Sequence, residues 1–168
     1  TVDTEDFGAV VFHMGKRTRG SVVASQVSAG RKNRLSIEIY GTRSSVAWDQ
    51  ERPDELWVGH RETGNQIYVK DPSLLKPAVR SYADLPGGHS EGYDDTFKQI
   101  FRRFYASIGP ASISPASIAA TSSGTAPAAA PEYPQFVDGL RQLTILNSVL
   151  QSHRTRRWID VPQLETNR

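Results

Sequence analysis

Cysteine is missing from these 168 residues, and methionine occurs once. The absence of cysteine excludes disulfides, thiolate nucleophiles and thiolate-ligated metals, and it fits a cytoplasmic protein of bacterial type. No apolar run approaches the ~18 residues that would predict a membrane-spanning helix, and no basic-then-apolar leader stands at Thr1. A formal charge of +2 is too small to imply nucleic-acid binding. The four histidines, His13, His60, His89 and His153, are scattered without a ligand spacing such as His-x-x-x-His, so no metal site is expected. No G-x-S-x-G elbow offers a serine nucleophile. What remains is a chain that is 38% hydrophobic, with three Trp, six Tyr and six Phe, enough to fill one core. A single domain spanning 1–168 is expected.

The first half reads as strands. Phe7 to Met14 is mostly apolar and ends on the turn signal Gly15-Lys16. Arg19 to Ser28 follows as a second strand. Arg34 to Tyr40 alternates cleanly, with Leu35, Ile37 and Ile39 on one face and Ser36, Glu38 and Tyr40 on the other. Gly41 to Ser44 is short enough to make a hairpin with Ser45 to Asp49. Leu56 to Gly59 and Gln66 to Lys70 form another pair around Thr63-Gly64-Asn65. Strands this close in sequence leave no room for helical crossovers, which predicts a mainly antiparallel sheet.

Helices come afterwards. Asp94 or Asp95 is placed to cap a helix running to about Ile108, whose stripe is Phe97, Ile100, Phe101, Phe104, Tyr105 and Ile108. A second helix begins after Pro134, with Phe136, Leu140, Leu143, Leu146 or Val149, and Leu150 at three- and four-residue steps. Arg154, Arg156 and Arg157 gather in its last turn, where cations complement the carbonyl end; that is a cheaper account of the Arg/Trp cluster than nucleic-acid binding. Arg157 to Val161 alternates like a short terminal strand closed by Pro162. Between the helices, 109–130 is almost entirely Gly, Ala, Ser, Thr, Pro and Ile, and reads as an extended insertion. Strands first and helices after them predict an α+β fold, an open, mainly antiparallel sheet with helices packed on one face.

Several segments carry a resemblance. Asp138-Gly139-Leu140-Arg141 opens the closing helix; Ile37-Glu38-Ile39-Tyr40-Gly41 precedes Val46-Ala47-Trp48-Asp49; Leu85-Pro86-Gly87-Gly88-His89-Ser90-Glu91-Gly92-Tyr93 leads into a Phe-rich helix; and Ser25 to Asn33 joins two strands. By their order and spacing along the chain they resemble the carboxy-terminal domain of the glucose–fructose oxidoreductase, inositol dehydrogenase and rhizopine-catabolism family of nicotinamide-dependent enzymes. The resemblance implies a sheet that walls the substrate side of a cleft, with an upstream Rossmann domain in the same parent chain holding NAD or NADP. It also implies pairing of the open sheet face with another subunit, giving a homo-oligomer. The family's G-x-G-x-x-G, its Glu-Lys-Pro tripeptide and its Asp-x-x-x-His pair do not occur here. A chain that opens on Thr1 and runs at once into a strand is therefore expected to be the carboxy-terminal portion of such an enzyme, inactive alone and without catalytic or cofactor-binding residues of its own.

Substrate-binding candidates follow. Gly87 and Gly88 allow close backbone approach, and a His89 imidazole exchanges hydrogen bonds readily with a sugar hydroxyl. Arg31, in a polar glycine-containing joint with Lys32 beside it, offers a planar fork to a carboxylate or polyol, and Gln26 is a further candidate on the strand before it. The bland readings are a histidine that borders the helix and a solvated hairpin loop. The competing class of function is a stand-alone dimeric sheet module that binds a small molecule or partner without chemistry.

Overall fold

The computed structural model describes residues 4–108 and 132–164, so the expected insertion at 109–130 lies outside the described residues. The chain forms two compact units, Thr1–Arg31 with Pro134–Arg168, and Lys32–Tyr133. The first holds β1 (Phe7–Met14) and β2 (Thr18–Ser25), an antiparallel hairpin in which Phe12 faces Gly20. Gly15 turns the hairpin at φ 62, a left-handed conformation that glycine adopts without a Cβ clash. The Phe12 ring lies over Gly20 so closely that a Cβ there would collide with it. β2 ends earlier than the expected Ser28. The Ser25 hydroxyl accepts the Val27 N–H at 3.2 Å and the Ser28 hydroxyl at 3.0 Å, a side-chain turn that bends the chain off the ladder.

The second unit carries a four-stranded meander in the order β3 (Ser36–Tyr40), β4 (Ser44–Asp49), β5 (Glu55–His60) and β6 (Gln66–Val69), antiparallel throughout. Pairing sets Ile37, Trp48, Leu56 and Tyr68 in one row across the sheet, with Ile39, Val46 and Val58 in the next row of that face. The opposite face carries Glu38, Ala47, Trp57 and Ile67. The strand start predicted at Arg34 comes two residues late. Leu35 still accepts the Gln50 N–H at 2.8 Å, while Arg34 turns its guanidinium onto Asp49 Oδ2 at 2.6 Å. The Trp48 indole N–H donates to the Pro53 carbonyl at 3.0 Å, fixing the bend between β4 and β5.

Helices follow the strands, as the α+β expectation requires. After a 3₁₀ turn at Pro72–Leu74 come α1 (Pro77–Arg80) and α2 (Tyr93–Ser107) in the second unit, then α3 (Phe136–Thr155) in the first. The expected cap of α2 is corrected: Gly92 is the N-cap, and Asp95 stands three residues on, where its Oδ2 accepts the Gly92 N–H at 2.8 Å. Asp138 does the same for the Gln135 N–H at 2.9 Å at the start of α3. At the other end only Arg154 of the three arginines is helical. Arg156 takes a left-handed conformation (φ 54) and donates its N–H to the Ser152 carbonyl at 2.7 Å, ending the helix. The terminal strand predicted for Arg157 to Val161 does not form. The Ser152 hydroxyl donates to the Arg157 carbonyl at 2.6 Å, and Trp158 is held by its ring, 4.4 Å from the ring of His13 in β1, instead of by a ladder.

Candidate functional site

The second unit builds its polar site at one end of the meander. Asp54 and Lys70 flank β5 and β6, and the Lys70 N–H donates to the Asp54 carbonyl at 2.7 Å, so the root of the lysine is fixed to the sheet. From there its ammonium reaches Glu91 Oε2 at 2.8 Å, the His89 carbonyl at 2.9 Å and Asp54 Oδ1 at 3.7 Å. Lys70, Glu91 and Asp54 are mostly buried, with side-chain exposures of 16%, 14% and 19%. The second oxygen of Glu91 accepts the Asp84 and Leu85 N–H groups at 2.6 and 3.2 Å. Ser90 closes the arrangement by donating to Asp54 Oδ2 at 2.5 Å. Burial opposes ionisation of Glu91, but the Lys70 ammonium and the two backbone N–H donors outweigh it and hold its carboxyl below the ordinary range.

This network shapes the loop from Asp84 to Glu91. Its His89 N–H donates to the Pro86 carbonyl at 3.2 Å, and Gly88 sits at φ 79, where a side chain would be strained. The His89 imidazole is exposed, with Nδ1 3.3 Å from the Gly87 carbonyl. A depression of about 620 Å³ adjoins the start of the loop, lined in part by Ser73, Leu75, Arg80, Ser81 and Asp84.

Asp84 ties the same loop to α2. Arg102 donates to its Oδ1 at 3.0 Å, Lys98 approaches its Oδ2 at 3.0 Å, and Gln99 adds a hydrogen bond at 3.3 Å. Arg102 first, and Lys98 second, lower the Asp84 carboxyl from 3.8 to about 2. The folded state therefore favours the deprotonated carboxylate. That contribution is complete above the ordinary value of 3.8 and is lost as pH falls through about 2. Melting temperature measured across this window is expected to fall less steeply in Asp84→Asn than in the unaltered chain.

The four predicted site residues divide between the units. Gln26 and Arg31 belong to the first and Lys32 and His89 to the second. Gln26 lies just past β2, its N–H on the Asp6 carbonyl at 2.8 Å. Arg31 closes a turn on the Ser28 carbonyl at 3.2 Å next to Gly30 (φ 83), and Lys32 follows it, exposed. Sequence reasoning passed over Lys70, Glu91 and Asp54. The single available signal was the Ser-Glu pair directly after His89; nothing in the spacing ties it to a lysine some twenty positions earlier. Among the described residues no cluster of His, Asp or Glu is arranged to hold a metal ion, and no helix is long and apolar enough to cross a membrane.

The second unit thus combines an antiparallel sheet, two helices and a loop held to both by charged side chains. No family model matches the chain. Levoglucosan dehydrogenase of Pseudarthrobacter phenanthrenivorans is 26% identical over 169 residues, covering 97% of this chain and 38% of that protein. A solved structure of levoglucosan dehydrogenase in complex with NADH matches at TM-score 0.73 and 25% identity, over 97% of this chain and 40% of the other. An inositol dehydrogenase homolog from Azotobacter vinelandii, complexed with NADH and myo-inositol, has the same fold at TM-score 0.75 and 22% identity, over 93% and 39%. This chain thus spans about two fifths of the length of these relatives. It matches the carboxy-terminal domain of the glucose–fructose oxidoreductase, inositol dehydrogenase and rhizopine-catabolism family, and has that domain's α+β, antiparallel fold.

Proposed function

We propose that residues 1–168 act as one substrate-side and assembly domain of an NAD(P)-dependent oxidoreductase whose substrate is a sugar, polyol or related hydroxy compound. The observation that carries this reading is the match of nearly the whole chain to two fifths of a sugar dehydrogenase. His89, presented on a loop strapped to the sheet, contacts a substrate hydroxyl, with Arg31, Lys32 and Gln26 as further contacts. The cofactor is held elsewhere in the parent protein. In support, the strands within each sheet are joined by hairpins instead of strand–helix turns, and Asp95 and Asp138 place carboxylates at the N-termini of α2 and α3, on the Gly92 and Gln135 N–H groups. The protein works in the cytoplasm as a homo-oligomer paired through the sheet face, where Tyr40, Ile67 and Val69 are 59–73% exposed.

NADH formation tests the reading. The gene product containing this chain, given NAD+ or NADP+ with levoglucosan, myo-inositol and a panel of other polyols, is expected to reduce the cofactor, whereas the 168-residue chain alone gives no turnover. A gene product with no activity on any polyol, that nevertheless dimerises, would favour the binding module.

A further inference from the structure

We propose that Lys70 and Glu91 form a positioning pair that sets where the His89 imidazole stands, an inference that rests on the reading of His89 as a substrate contact. The loop from Asp84 to Glu91 has few internal means of holding one shape. Its turn is made by Gly87 and Gly88, and apart from the bonds to Glu91 its internal bonds are the His89 N–H to the Pro86 carbonyl at 3.2 Å and the long imidazole contact at 3.3 Å. Two charged groups supply the missing order. Lys70 fastens the loop from the sheet side at the His89 carbonyl itself, whose carbon is bonded to the imidazole-bearing Cα. Glu91 folds back across the loop and takes the N–H groups of Asp84 and Leu85, drawing the two ends together. The carboxylate and ammonium also bind each other at 2.8 Å, so each holds the other's rotamer.

The anchor is rooted in rigid structure. Lys70 is fixed at its backbone to Asp54, and both flank paired strands, so the reference point for His89 is the sheet. Charge-assisted bonds of this kind are stronger than neutral ones, and two of them, with the Asp54 carboxylate nearby at 3.7 Å, converge on one side chain that is only 16% exposed. The ammonium has no comparable role in closing the meander, because the β5–β6 ladder pairs Glu55 with Val69 without it. That separation between loop order and sheet stability makes the proposal testable.

The test uses nuclear magnetic resonance on the 168-residue chain, comparing Lys70→Met, Lys70→Arg and Glu91→Gln with the unaltered sequence. Lys70→Met is expected to speed amide exchange at Asp84, Leu85 and His89 about tenfold or more, and to move the His89 ring resonances, while exchange within β4 and β5 stays unchanged. Glu91→Gln keeps an acceptor for the two N–H groups but loses the charge pair, so a smaller change of the same pattern is expected. Lys70→Arg restores a donor and charge and is expected to return the loop amides toward their original protection. A folded Lys70→Met chain with unaltered loop amides and ring resonances overturns the proposal, as does loss of protection spread equally over sheet and loop. A separate titration of His89→Ala with levoglucosan or myo-inositol addresses the underlying reading: unchanged affinity would remove His89 as a contact and leave the positioning result standing.

Discussion

Glu91→Ala is expected to lower the stability of the second unit by about 3 kcal/mol, the largest loss of any single substitution in the loop region. The substitution leaves Lys70, only 16% exposed, with Asp54 at 3.7 Å as its remaining carboxylate. It also strips the Asp84 and Leu85 N–H groups of their acceptor. Fully buried pairs lose about 3–5 kcal/mol when one partner is removed. This site, at 14–16% exposure, is partly open to water, which moderates the ammonium's cost, while each orphaned N–H adds about 1 kcal/mol. A double-mutant cycle with Lys70→Met separates the two contributions. A coupling of about 1–2 kcal/mol is expected, with the double variant more stable than the sum of the singles predicts, because no unpaired charge remains. Urea unfolding with a loss below about 0.5 kcal/mol would show that solvent already screens the pair.

Under the proposed function, His89→Ala in the full gene product is expected to reduce kcat/KM about 10²-fold toward a polyol substrate. A hydrogen bond to one hydroxyl supplies about tenfold by itself; the rest comes from lost orientation of the reacting carbon. Under that account kcat falls along with the rise in KM, since a contact that only held the ground state would change KM alone. His89→Asn, which keeps a side-chain donor and acceptor at shorter reach, recovers part of the loss. Steady-state kinetics with the best substrate of the panel would show it, and unaltered kcat/KM would remove His89 from the site.

Much of the fold was legible because its determinants are local. Alternation from Leu35 to Tyr40 and the short connection at Gly41 to Ser44 define a hairpin within fifteen residues, and the structure pairs Ile39 with Val46 accordingly. Errors came where a side chain competed with the backbone. Ser25 bent β2 away before Ser28, Asp95 capped α2 from inside the helix, and Ser152 took the carbonyl that a strand at Arg157 would have shared. Such bonds depend on one rotamer and leave no period in the sequence. The site was half legible for a related reason. Two glycines before His89 announce a tight loop, but Lys70 and Glu91 meet only because β6 ends beside that loop. Their pairing is a product of topology, and a lysine after a strand looks in sequence like any solvated charge.

The central claim is that this chain is the substrate side of a larger dehydrogenase, and the intact mass of its gene product in the native cell tests it most directly. An antibody raised against residues 32–133 would isolate that product for mass spectrometry. A mass more than twice 18.6 kDa is the predicted result, in keeping with a match to only 38% of levoglucosan dehydrogenase. A native product of 18.6 kDa would contradict the account, because it would leave the sheet and its His89 loop with no cofactor domain to serve.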